Sequence, residues 1–551
     1  MKRFGLLLEM LLFAVLICCA VALGSPYAPV VQPAVDIEEI WAIEDAREES
    51  DEPLVTALRN RDVPLAYDEE MNTFFCTLGM ENGDQWPDIH LYADGQPGMS
   101  VVFVDDYNYD WCCDAIRDGY SYELMAYTDT QYSYFNIVFT SLPIVMLDSE
   151  RKIPAHEDVP VEVVMSWDDE TVMTTHGRAH KRGDTSLRKY DKNGLKVEFT
   201  QLENGTHKID VDTPFLGMTG GMILLACAVD HQMIRDRLSW DMYSGITEES
   251  EPFGAMKAHY VELFVNQAYQ GAYLMMKPYS YQTEMAKLDP QAPAKDSYYR
   301  VVGRSTFEFD RPWLQDHRKI YYEQHYAPAD MEPFDSLRPY LDLIKEPNNE
   351  KFSEMVLKYL DIDSVIRYML YVHACGLTDN DVNNINIWAH YGRDGLKYYF
   401  NPWDLDVSWG LDDEENAEAM YAIELFDRMV GLDCGGIVRS RVKAIWQEFR
   451  EKAFNQAYLD KLVAQYEREL NESCAYYRDT VKWEKSTSSL DMYNIYSYAL
   501  ARMDMMDRRI EQITSEEMAD RYVRIDEYGV VDEGPLDVIR GQDIQISNTV
   551  M

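Results

Sequence analysis

The alternation of apolar and polar positions divides the chain into three stretches of different character. From about Leu65 to Met146, short apolar runs such as "IHLYA", "SVVFVDD", "YELMAYT" and "YFNIVFTSLPIVML" are separated by turn-forming segments such as "ENGD" and "DGQPG". A period of two broken by frequent turns predicts a small β-sandwich. Between 147 and about 285 the periods mix. "VEVVMSW" and "LKVEFTQL" predict strands, whereas "VDHQMIRDRLSWDMYSGI" spaces its apolar residues near 3.6 and predicts a helix with Asp230 as N-cap. "HYVELFVNQAYQGAYLMMKPYSY" predicts a hairpin around "NQAYQG". Beyond 350 the pattern turns helical. "KFSEMVLKYLDIDSVIRYMLYVHACGL" reads as one long apolar helix or a helix pair, and Tyr458–Tyr477 and Ser489–Ile513 keep helical spacing. The Met and aromatic stripes of these helices predict core. No internal repeat is visible.

The ends differ from this body. "MKRFGLLLEMLLFAVLICCAVALGSPYA" has a basic start, an apolar stretch from Met10 to Leu23 and small residues after it, so 1–24 reads as an export signal or an N-terminal membrane segment. Residues 25–60, rich in Pro and acids, read as a linker. The expected division is a β-rich domain over 61–146, a second domain over 147–525 and a tail over 526–551. The second domain comprises a small lobe, about 147–290, and a helical lobe, about 291–525. The class is α+β.

Charge narrows the partners. A net charge of −45 over 551 residues repels phosphate backbones and anionic lipid, so nucleic acid is excluded as a bulk partner and a membrane is touched only through an uncleaved N-terminal segment. Against that background "HGRAHKRGDTSLRKYDKNGLK", His176 to Lys196, is basic enough to hold a small phosphorylated ligand. The nine cysteines contain no C-x-x-C pair, which argues against a zinc ribbon; Cys227 and Cys375 lie in apolar runs and read as buried thiols. There is no H-E-x-x-H, G-x-S-x-G or Walker P-loop, so zinc protease, serine hydrolase and P-loop ATPase chemistries lack their motifs.

Two polar segments carry the chemistry. "TDNDVNNINIW", Thr378 to Trp388, follows the apolar helix, and Asp379 stands five positions before Asn384. Phosphoryl transfer needs a carboxylate near the attacking hydroxyl and an amide oxygen near a magnesium ion, and D-x-x-x-x-N supplies both. Twenty positions after Asn384, past a short strand pair, "NPWDLDVSWG" presents Asp404 and Asp406 at a strand end between tryptophans. Solvated edge acids or a cation site both fit that segment alone. Magnesium takes few carboxylates plus substrate phosphates, and Asn384 with Asp404 and Asp406 is such a set.

Several segments together resemble the CotH kinase family of atypical protein kinases. "HGRAHKRGDTSLRKYDKNGLKVEF", "VDHQMIRDRLSWDMYSG", "LFVNQAYQGAYLMM", "TDNDVNNINIW" and "NPWDLDVSWG", led in by "FTSLPIVMLDS", stand in that family's order over about 140–410. The resemblance implies a protein-kinase-like bilobal fold, ATP with Mg2+ (or Mn2+), and transfer of the γ-phosphate to Ser/Thr of a protein, such as a coat or cell-surface protein. It places Asp379 on the catalytic-loop acid, with Asp381 as rival because "DND" leaves the register open. It also places Asn384, Asp404 and Asp406 on the metal, and Lys192, with Arg182 second, on the nucleotide phosphates. One departure is Gln267, where the hairpin turn commonly has Gly. Two other classes fit the same residues: an exported binding or adhesion protein that keeps the fold without the activity, and a carbohydrate-active hydrolase using a pair among the four Asp residues.

Overall fold

The computed structural model describes residues 29–535, apart from 80–88, 106–115, 169, 184, 203–204, 248–251, 255, 280, 289–295, 303–321, 333, 381–382, 412–416, 419–422, 485–489, 516–520 and 527–528. The expected signal segment therefore lies outside the described residues, as does most of the tail. The fold mixes α and β elements throughout.

Two sheets enclose the first core. One runs in the order 66–68, 73–77, 131–140, 121–127, 100–103, with Glu48–Glu49 added beside 131–140; the other is formed by Val63–Pro64, Val55–Asn60 and Leu91–Gly95. Leu58, Leu91, Val101, Leu124, Phe135 and Ile137 fill the space between them. The segment expected as a linker belongs to this unit. Val30 bridges to Tyr92, Ile37–Asp45 is a helix burying Ile40 and Ile43, and Val55–Asn60 is a strand. Its Pro and acid content masked two isoleucines three apart, enough to seat one helix face.

A seven-stranded closed barrel follows. Its strands are β1 (Ile144–Asp148), β2 (Val159–Ser166), β3 (Val172–Arg182), β4 (Gly194–Thr200), β5 (Gly221–Leu225), β6 (Ala258–Val265) and β7 (Ala268–Met276). The order is β1-β2-β3-β4-β5-β7-β6, and the parallel pairing of β1 with β6, Ile144 opposite Glu262, closes the ring. In β2, Val159, Val161, Val163 and Met165 point inward on a period of two. In β6 and β7 both faces are covered, because Tyr260, Leu274 and Met276 pack outward on the helices; such strands lose their alternation. The β6–β7 turn uses Asn266 and Gln267 at φ 51° and 58°. Two left-handed residues are the type I′ geometry that matches strand twist, so Gln267 does here what Gly does more cheaply. Helix α1 (Arg235–Ile246) starts five residues after Asp230. Asp230 still caps it from outside, accepting from the Ile234 and Arg235 amides at 2.7 Å each.

The remainder pairs a four-stranded antiparallel sheet with helices. The strands are β8 (Ser297–Val301), β9 (Tyr322–Tyr326), β10 (Ile385–Gly392) and β11 (Gly395–Pro402), in the order β9-β8-β10-β11. The long apolar stretch resolves into two helices, Asn349–Tyr359 and α2 (Ile362–Cys375). Asp361 caps α2 through Ser364 N at 3.0 Å, and Gly376, at φ 64°, ends it. Helices α3 (Val438–Lys452), α4 (Ala475–Lys482) and α5 (Tyr493–Ile513) follow. α2, α3 and α5 share the largest core, with Leu370, Ile445 and Met506 among its buried residues.

α4 returns to the barrel through consecutive charged residues. Arg478 Nε donates to Glu262 Oε1 at 2.8 Å, and Asp479 Oδ1 accepts from Lys192 Nζ at 2.5 Å and from the Ala272 amide at 3.0 Å. The approach requires Gly271: a Cβ there would stand 2.2 Å from Asp479 Oδ1, and its φ is +96°.

Candidate active site

The loop after α2 is sewn to two strands. Asn380, fully buried, donates from Nδ2 to the Trp403 carbonyl at 2.8 Å, and its own carbonyl accepts from Tyr368 Oη at 2.6 Å. The Asn384 amide donates to the Val301 carbonyl of β8, and its carbonyl accepts from the Trp403 amide. Held in this way, Asn384 Nδ2 donates to Asp379 Oδ2 at 2.9 Å, with Asn383 Nδ2 on the same oxygen at 3.2 Å. The D-x-x-x-x-N spacing therefore closes into a direct contact. Asp381 lies outside the described residues.

The second segment leaves β11 at Pro402 and turns sharply. Asp404 adopts φ 57° and Asn384 φ 53°. Asp and Asn tolerate the left-handed region better than most residues, but each still stores a small strain. The turn is pinned to α1: the Leu405 amide donates to Asp236 Oδ1 at 3.3 Å, and Trp409 Nε1 donates to Ser239 Oγ at 2.9 Å. The Trp409 amide bonds the Cys375 carbonyl at the end of α2. The tryptophan-flanked segment thus joins α1 to α2.

Between the barrel mouth, α1 and this turn lies a small, partly open cleft. Ile223, Leu225, Met256, Met276 and Trp240 form its apolar walls; Arg182, Asp236, Trp403 and Asp404 bring charge and an indole. Burial, reinforced by the charges of Asp404 and Asp230, pushes the Asp236 carboxyl up to about 8. Burial and then the neighbouring Asp404, Asp236 and Asp379 raise Asp406 well above the usual carboxylate range. Arg182, at the end of β3, is the cation in their midst. Burial lowers its pKa, Asp404, Asp236 and Asp406 pull it back up, and Arg300 opposes them. Its guanidinium carbon lies 5.6 Å from the centre of the Trp403 ring.

Carboxylates raising one another's pKa in a buried cleft would ionise together only with a cation among them, and hard oxygen donors fit Mg2+ or Mn2+. Among the described residues no three His, Cys, Asp or Glu side chains form a closed metal cage. An ion here would take few protein ligands and complete its shell from water or substrate oxygens.

Lys192 does not join this cluster. It is 4% exposed and engaged by Asp479, the Ala272 carbonyl at 2.6 Å and the face of Tyr273. The turn before β4 carries it onto β7 and α4, so the cation that the cleft does contain is Arg182. The partner, Asp479, lies 287 positions away, beyond any local pattern. Conversely, the sequence reading missed Asp236. A signal was present: Arg235, Asp236 and Arg237 are consecutive, and at about 100° per residue three neighbours sweep more than half of a helix. They cannot all face solvent, and all three are buried.

The model of the CotH kinase protein family matches residues 179–515. The chain belongs to the CotH kinase family. No significant match is found among curated proteins. The family match opens at Ala179 within β3, three residues before Arg182, and closes just after α5; it contains Arg182, Asp236, Asp379, Asn384, Asp404 and Asp406. The sandwich, β1 and β2 precede it.

Proposed function

We propose that this CotH family chain is an ATP-dependent protein kinase that transfers the γ-phosphoryl group to Ser or Thr of a protein. The barrel with α1 acts as the small lobe of a kinase-like bilobal fold, and the sheet β8–β11 with α2–α5 acts as the other. The observation that carries the reading is the convergence of Asp236, Asp404 and Arg182, from three separate stretches of chain, on one cleft with apolar walls, with Asp406 close enough to feel both acids. Apolar walls suit a nucleotide base, Arg182 suits its phosphates, and the acids suit a divalent cation.

Asp404, Asp406 and the amide oxygen of Asn384 would hold Mg2+ or Mn2+, which neutralises phosphate charge and orients the γ-phosphoryl group. Asp379 would accept the hydroxyl proton of the attacking Ser or Thr, its carboxylate held by Asn383 and Asn384. Arg182 would pair with phosphate oxygens, and Trp240 and Met276 would exclude water. With its signal-like N-terminus the protein acts outside the cytoplasm, on coat or cell-surface proteins. The test is a thermal-shift titration with Mg-ATP on wild type and Asp404→Ala. Stabilisation of wild type that disappears in the variant is expected. An unresponsive wild type overturns the kinase reading.

A further inference from the structure

The geometry points to Arg300 as a second anion-binding guanidinium that, with Arg182, brackets the phosphate chain of the nucleotide. This inference rests on the proposed function. Arg300 is the penultimate residue of β8 and is partly buried. Its guanidinium carbon lies 4.2 Å from the centre of the Trp403 ring, the same indole that Arg182 overlies. Two side chains hold it in place: Nε donates to Asn386 Oδ1 at 3.1 Å, and an Nη donates to Tyr298 Oη at 3.0 Å. Tyr298 Oη in turn donates to Asn386 Oδ1 at 2.8 Å.

Both of those partners are neutral. Glu323, opposite Arg300 in the β8–β9 register, is exposed and instead pairs with His325 at 3.1 Å. No carboxylate within ion-pair distance of Arg300 or Arg182 is found among the described residues. Burial and Arg300 both lower the pKa of Arg182, so the two cations feel one another. Ordinary structural arginines in this chain behave differently: Arg441 grips Asp363 with both arms of its fork, and Arg235 grips Asp230. Two like charges over one indole, one of them held there by neutral groups alone, beside carboxylates that favour a divalent cation, form a site suited to an anion. A guanidinium fork matches phosphate oxygens, and stacking on Trp403 fixes its plane. A polyphosphate carried by a divalent cation fits both halves at once.

The test uses the full chain and measures binding of sodium tripolyphosphate, ATP and adenosine, each with Mg2+, by calorimetry. Losing a charge-assisted contact is expected to weaken tripolyphosphate and ATP by about tenfold or more in Arg300→Met, with adenosine unchanged. Arg300→Lys, which keeps the charge and loses the fork, is expected to fall between. If Arg300→Met does not fold, Arg300→Lys and Tyr298→Phe decide, since both should weaken the anions while sparing adenosine. Variants that bind tripolyphosphate as wild type does overturn the role of Arg300 and leave the kinase reading standing. Wild type that binds tripolyphosphate but not ATP, with the loss in Arg300→Met, supports the anion site and sinks the nucleotide. Wild type that binds neither overturns both.

Discussion

The chain buries charge in two places, and the two are built on opposite rules. At the α4–barrel contact each charge has its counter-charge: Lys192 with Asp479, and Arg478 with Glu262, which also accepts from Tyr269 Oη. Burial works against the charge on Arg478, yet Glu262 and Tyr269 together outweigh it and the pKa is raised. In the cleft, acids face acids. Asp236 and Asp406 are pushed toward their neutral forms, and Arg182 touches none of them closely enough for an ion pair. Paired burial holds the fold together; unpaired burial is a cost that a bound cation would relieve. Charged residues inside a protein therefore divide by what completes them.

The largest expected effect lies in the cleft. Asp404→Ala should lower phosphoryl transfer on the order of 10³-fold, as removal of a charge-stabilising group does. Its ligand-free melting temperature should stay close to that of wild type, because the loss of one repelling carboxylate is set against the poorer fit of Ala to φ 57° and the loss of a charge that supports Arg182; a transfer assay beside a melting curve checks both. Asp479→Ala is the opposite break. It leaves Lys192 buried without its counter-ion and should cost about 3–5 kcal/mol in denaturant unfolding. Its Mg-ATP affinity should change little wherever the protein is still folded.

Third is Asp236→Asn. The carboxyl has a folded value of about 8 against an ordinary 3.8. The folded state therefore holds a proton that the unfolded state has released, and stability falls as pH rises from about 4 to 8. The Asn variant should lack that slope, and measured without divalent cations at pH 9 it should be more stable by a few kcal/mol. At neutral pH the smallest effect is at His373. Burial and then Arg502 lower its pKa to about 3 against 6.5, and neither ring nitrogen has a hydrogen-bond partner among the described residues. It is neutral when folded, so its contribution is full above pH 6.5 and is lost as pH falls toward 3, at up to about 1.4 kcal/mol per pH unit. His373→Leu should flatten the acid limb of a pH–stability curve and leave nucleotide binding alone.

The same contrast explains what the sequence made legible. The hairpin with Asn266 and Gln267, the α2 region and the D-x-x-x-x-N contact were readable because each is local: turn chemistry, helical period, five-residue spacing. Asp404 and Asp406 were readable as a pair, and the structure ties their segment to the Asp379 loop through the bonds of Asn380 and Asn384 to Trp403. The failures were all long-range. Lys192 looked like a phosphate ligand because its partner lies in α4. Closure of the barrel depends on β1 meeting β6, more than a hundred residues on, with nothing in either run to announce it. Arg300 sits in a strand whose pattern reads as ordinary, and its setting exists only once Asn386, Tyr298 and Trp403 are assembled.

The parallel pairing of β1 with β6 also has a practical consequence. A clone trimmed to the family boundary at 179 would delete β1 and β2 and most of β3, and slit the ring lengthwise. β4 and β6 would become bare edges, with β6 keeping its run "VELFV" and a row of unsatisfied amides. Such a fragment should aggregate on expression, whereas one beginning before Ile144 keeps its hoop intact.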